Sequence, residues 1–132
     1  MTSMSADELA RKKCVPCEGG VPPLSAKEAM DLVAAIPGWV LTHDGKRIRR
    51  TWVAKNFMAG ISFFDKIAEL AESEGHHPDL HLESYRNIAV EIWTHAIGGL
   101  SENDFILAAK IDQLPIALPK SSSSATANVP HA

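Results

Sequence analysis

Hydrophobic and polar positions along this chain recur with a period of three to four in some segments and of two in others, and the changes of period mark out elements. Ser25-Ala26-Lys27-Glu28 is a capping box, with Ser25 and Glu28 each placed to satisfy an amide at a helix start. Leu32, Val33 and Ile36 follow at helical spacing until Pro37-Gly38 stops the element. Trp39 to Thr42 then reads as a short strand, His43-Asp44-Gly45-Lys46 as a turn, and Arg47 to Val53 as the partner strand of a hairpin. In that partner strand Ile48, Arg50 and Trp52 share one face. From Asn56, an N-cap, Phe57, Ile61, Phe64, Ala68 and Ala71 recur at three- and four-residue steps, which predicts a long amphipathic helix ending at Gly75. Leu80 and Leu82 alternate with His81 and Glu83, and beyond Tyr85-Arg86-Asn87 the residues Ile88, Val90 and Ile92 alternate with Ala89, Glu91, Trp93 and His95. This is a second hairpin, whose last strand ends at His95. Ser101-Glu102-Asn103-Asp104 opens a final helix with Leu107, Ala108, Ile111 and Leu114 as its buried stripe.

Two hairpins joined edge to edge make a four-stranded antiparallel sheet, and three amphipathic helices need its apolar face. The expected architecture is therefore α+β and two-layered, with the sheet on one side and three helices packed on one face of it, in the order α-β-β-α-β-β-α. Residues 24–118 form this domain, and 132 residues leave no room for a second. Residues 1–23 read as a flexible arm with a short helix near Ala6 to Lys13, followed by a Pro- and Gly-rich stretch. Residues 119–132 read as a disordered Ser-rich tail. Thirteen Lys and Arg against sixteen Asp and Glu leave a net charge of −3. A weakly acidic chain lacks the basic stripe of a nucleic-acid binder. No apolar run is long enough to span a bilayer and no secretory signal is visible, so the expected location is the cytoplasm.

The six histidines change this picture, because four of them lie between positions 76 and 95. Imidazole exchanges protons near neutral pH. His76 and His77 follow the predicted helix end, Pro78 restricts His77, and antiparallel pairing returns His95 to the same end of the sheet. His81, on the polar side of a strand, is set aside. Glu72 lies one helical turn before the pair. Asp104 occupies the third helical position, where a carboxylate serves helix stability alone. No metal is expected, since no zinc-binding spacing is present and Pro78 interrupts any helical His77–His81 pair. Cys14-Val15-Pro16-Cys17 is a single CxxC without the second pair of a zinc ribbon or the context of a redox site, and reads as two reduced, exposed thiols.

Taken together, Glu72, His76-His77-Pro78, Tyr85, His95 and Asp104 resemble the motif of the pterin-4a-carbinolamine dehydratases, and the segment from His95 to Asp104 resembles that family's approach to its last helix. The resemblance implies a lyase that removes water from 4a-hydroxytetrahydropterin to give quinonoid dihydropterin, in tetrahydrobiopterin recycling. It implies His76, His77 and His95 as the acid-base and pterin-orienting set, with Glu72 and Asp104 as orienting carboxylates. Trp39 and Pro78 would contact substrate, although on composition alone Trp39 and Trp93 read as packing residues. No cofactor is implied. A homodimer or homotetramer is expected, with the arm available for a protein partner. The alternative is a dehydratase-like binding factor, either a dimerisation cofactor in transcription or an assembly factor for RuBisCO.

Overall fold

The computed structural model describes residues 4–15 and 22–119. Cys17 and positions 120–132, to which a reduced thiol and most of a disordered tail were assigned, lie outside the described residues. The elements are α1 (Ala6–Arg11), α2 (Ala26–Val33), β1 (Val40–Thr42), β2 (Arg47–Val53), α3 (Phe57–Glu74), β3 (Asp79–Glu83), β4 (Asn87–Ile92) and α4 (Glu102–Ile111), with a 3-10 turn at His95–Ile97. The strands form one antiparallel sheet in the order β1-β2-β4-β3. The expected α+β class and four-stranded sheet are present. No helix among the described residues is long and apolar enough to cross a membrane.

Local chemistry accounts for most element ends. Ser25 caps α2 by accepting from the Glu28 amide while Glu28 reaches back to the Ser25 amide. Asn56 caps α3 by accepting from the Ala59 amide at 2.8 Å. Gly75 ends α3 in the left-handed conformation at φ 67°, and the His76 amide then turns back onto the Ala71 carbonyl at 3.2 Å. Both hairpin turns hold two successive residues at positive φ, His43-Asp44 and Ser84-Tyr85, matching the twist of the strands they join.

The sheet's apolar face is laid out in rows. Leu41, Ile48 and Ile92 form one row, Trp52, Ile88 and Leu82 another, and Val90 and Leu80 share the row between them with Arg50. Arg50 is tolerated there because its guanidinium bonds Asp112 at 2.9 Å and lies 4.9 Å from the centre of the Trp52 ring. On α3 the buried residues are Gly60, Phe63, Ile67 and Ala71. Of the stripe expected from periodicity only Ala71 is buried; Phe57 and Ala68 are exposed.

Two further expectations are corrected. His95 does not end β4, which stops at Ile92; it begins the 3-10 turn enclosed by an isolated bridge between Thr94 and Gly99. Residues 4–15, assigned to a flexible arm, are docked on the body: Ser5 and Glu8 form a capping box, and Leu9 is fully buried in the core. Helix α1 packs on α4. That contact explains why eight of the ten residues of α4 are buried instead of one stripe.

Candidate active site

The register of the second hairpin builds the site. Asp79 at the start of β3 pairs with Glu91 near the end of β4, so the segment before β3 and the segment after β4 meet at one end of the sheet. There His76, His77 and His95 line a single cavity of about 250 Å³ together with Val15, Gly75, Trp93, Thr94 and Ala96.

Each imidazole is held differently. His76 is largely enclosed, with 12% of its side chain exposed, and its Nε2 lies 2.6 Å from Oδ1 of the fully buried Asp104. The other carboxylate oxygen accepts from the Thr94 hydroxyl and from the Ser101 amide, both at 2.8 Å. An ionised carboxylate only accepts, so Nε2 carries the proton in this pair and Nδ1 is the nitrogen left for chemistry. His77 is exposed, and its Nε2 lies 2.6 Å from Glu72 Oε2, also on the surface. An ion pair that open to water contributes little to stability, but it orients the ring. His95 stacks on Trp93, with ring centres 4.0 Å apart and planes inclined by 28°, and Arg47 lies 4.3 Å from the centre of the same indole.

The carboxylates expected to orient histidines thus sit beside the histidines, Asp104 on His76 and Glu72 on His77. Pro78 leads directly into β3 and is not among the residues lining the cavity. Trp39 is not there either. It is 4% exposed in the core, its indole N–H donates to both carboxylate oxygens of Asp112 at 3.0 and 3.1 Å, and its ring meets Trp52 edge-on. Tyr85 occupies the hairpin turn at the opposite end of β3, exposed to solvent. Sequence reasoning left three contributors out: Thr94, which shares Asp104 with His76; Trp93, the platform for His95; and Val15, carried in from the N-terminal segment. The first two are chain neighbours of His95, and that adjacency was a usable signal. Nothing local marked Val15. Among the described residues no group of three or more His, Cys, Asp or Glu side chains is arranged to hold a metal ion.

A buried carboxylate fixing one imidazole, with two more imidazoles on the same cavity, can deliver a proton to one atom of a bound molecule and remove one from another. Comparison with known proteins is consistent with that chemistry. The family model described as pterin 4 alpha carbinolamine dehydratase matches residues 22–114. The mitochondrial pterin-4-alpha-carbinolamine dehydratase 2 of Arabidopsis thaliana is 49% identical over 118 residues, 87% of this chain and 63% of that protein, so the chain spans less than two thirds of that relative. A Methylococcus capsulatus protein provisionally named a pterin-4-alpha-carbinolamine dehydratase is 47% identical over 84% of this chain and 96% of its own. The crystal structure of a transcriptional coactivator/pterin dehydratase from Brucella melitensis is similar with a TM-score of 0.64, at 28% identity, covering 68% of this chain and 95% of that one.

Proposed function

Because this chain belongs to the pterin-4-alpha-carbinolamine dehydratase family, we propose that it removes water from 4a-hydroxytetrahydropterins by histidine acid-base catalysis. In this reaction the bond from C4a to its hydroxyl oxygen breaks, the oxygen takes a proton and leaves as water, and a ring nitrogen gives up a proton as a double bond forms. No electron is gained or lost by the protein. Hydroxide is a poor leaving group, so the step needs a placed acid and a placed base, each typically worth about 10²–10⁴-fold.

The observation that carries the reading is the lining of one cavity by His76, His77 and His95, with His76 fixed through Nε2 by buried Asp104. A carboxylate in that position sets the tautomer and stabilises the ring when it is protonated, which lets Nδ1 alternate between accepting and donating. Glu72 does the same for His77 at the surface, and the Trp93 stack sets the plane of His95.

The test is turnover of a 4a-hydroxytetrahydropterin by the full chain and by a variant carrying His76→Ala and His77→Ala. The double variant should fold, since His77 is exposed and Asp104 keeps its bonds from Thr94 and Ser101 when His76 is removed, which circular dichroism checks, and should lose at least about 10²-fold in kcat. A folded double variant turning over at the wild-type rate would remove the assignment.

A second reading, a binding or assembly factor on the same fold, is favoured by the two functions in the description of the Brucella melitensis structure and by the exposed Phe57 and Met58 at the start of α3. The same double variant separates the two, because a binding role through α3 would survive it.

A further inference from the structure

Residues 12–15 follow α1 and take no part in the reaction as described, yet they are firmly anchored. Asn103, 4% exposed in the first turn of α4, accepts from the Val15 amide through Oδ1 at 3.0 Å and donates from Nδ2 to the Val15 carbonyl at 2.5 Å. Those two bonds reproduce with a side chain what a neighbouring strand would offer the backbone. One residue earlier the Cys14 amide donates to Glu74 Oε1 at 2.9 Å, and the other oxygen of Glu74 accepts from Lys110 Nζ at 2.7 Å. This ion pair is mostly out of water, the Glu74 side chain 4% exposed and that of Lys110 16%. Lys12 pairs with Glu102, and Leu9 is seated in the core.

This anchoring fixes the segment that ends at Val15. The residue is 63% exposed, an apolar group left in the open, and it lines the cavity that His76, His77 and His95 share. A buried side-chain amide holding both backbone groups of a surface valine, with a buried ion pair holding the amide of the residue before it, is more than helix packing requires. The first turn of α4 also does two things at once: Asn103 holds Val15 while its neighbour Asp104 holds His76.

We propose that Val15, held in place through residues 12–14 and Asn103, forms a wall of the substrate site and is a specificity-determining residue whose methyl groups pack against one face of the bound pterin ring system. Asn103 is the positioning residue that presents it. The inference rests on the functional reading above and deepens it by naming what, besides imidazole, meets the substrate. An apolar wall suits the face of a bicyclic heterocycle, which gains from leaving water while its polar edge hydrogen-bonds elsewhere.

The test uses the full chain and the steady-state constants for a 4a-hydroxytetrahydropterin. Val15→Ala removes two methyl groups from an exposed position and should raise KM about three- to tenfold while kcat changes less than about twofold, the pattern of a lost binding contact. Asn103→Ala should raise KM in the same way and also speed modification of Cys14 by N-ethylmaleimide, read at that residue by mass spectrometry, because the strand-like clamp is gone. An unchanged KM in Val15→Ala overturns the inference, as does a raised KM in Asn103→Ala without faster Cys14 modification. Both outcomes leave the dehydratase reading standing if the wild-type chain turns over. A wild-type chain with no turnover defeats that reading and this inference with it.

Discussion

A carboxylate has two oxygens, and Asp104 shows how one residue meets two demands that look like rivals in the sequence. Its Oδ2 serves the Ser101 amide and so starts α4, while its Oδ1 faces His76. The capping pattern was readable because its partner is three residues away; the histidine partner is twenty-eight residues away. Trp39 shows the reverse. The motif resemblance puts it on substrate, but its N–H holds Asp112 in the core. Burial pushes the Asp112 carboxyl up in pKa, against the hydrogen bond from Trp39 and the nearby Arg50 charge. Trp39→Phe removes a donor from a carboxylate that burial already disfavours. We expect it to cost about 1–3 kcal/mol in urea unfolding with KM for the pterin unchanged. A clear rise in KM would put Trp39 back at the site.

At the level of elements, the helix and strand periods set which segments exist but not always which face is buried. The start of α3, Phe57-Met58-Ala59-Gly60-Ile61-Ser62-Phe63-Phe64, carries apolar residues around most of its circumference, so its periodicity fits more than one stripe. The sheet chooses the stripe through Gly60, where an added Cβ would meet Leu82 at 3.4 Å and Ile88 at 3.5 Å. A methyl just fits there, so Gly60→Ala should be near neutral, the gain in helix propensity offsetting the tight contact. Gly60→Val must displace the sheet side chains and should cost about 1–3 kcal/mol in thermal or urea unfolding. Equal stability of the Val variant and wild type would show that α3 does not sit close to β3 and β4. The same dependence on neighbours explains α4: with α1 on its outer side, positions that read as solvent-facing are buried.

Across the whole molecule, the N-terminal segment is joined to the body by groups that titrate, and the join should depend on pH on both sides. Burial opposes ionisation of Glu74, but the hydrogen bond from the Cys14 amide and the Lys110 ammonium outweigh it and hold the carboxyl below its usual range. A carboxyl lowered in the fold stabilises the docked state above its unfolded pKa, about 4.3, and that contribution disappears as pH falls through the lower folded value. Burial, followed by the charge of Glu74, pushes the Cys14 thiol up to about 12. An acid raised in the fold gives its full contribution below its unfolded pKa of about 8.5, and loses it as pH climbs from there toward the folded value. Amide hydrogen exchange over residues 4–15, corrected for the intrinsic rate at each pH, should show greatest protection between these limits. Glu74→Gln should flatten the acid limb. Protection that stays level across this range would mean that the ion pair does not govern docking.

By itself the sequence determined the elements, the antiparallel pairing of two hairpins, the caps at Ser25, Asn56 and Gly75, and the histidine motif, because each depends on residues a few positions apart or on a regular period. Only the tertiary structure decided that Asp104 meets His76, that Trp39 stays in the core, which stripe of α3 is buried, and that Val15 comes to the cavity across eighty-eight positions to Asn103. These contacts leave no local trace, since a hydrogen bond between distant residues imposes no spacing on the chain between them and is set by the packing that brings its partners together.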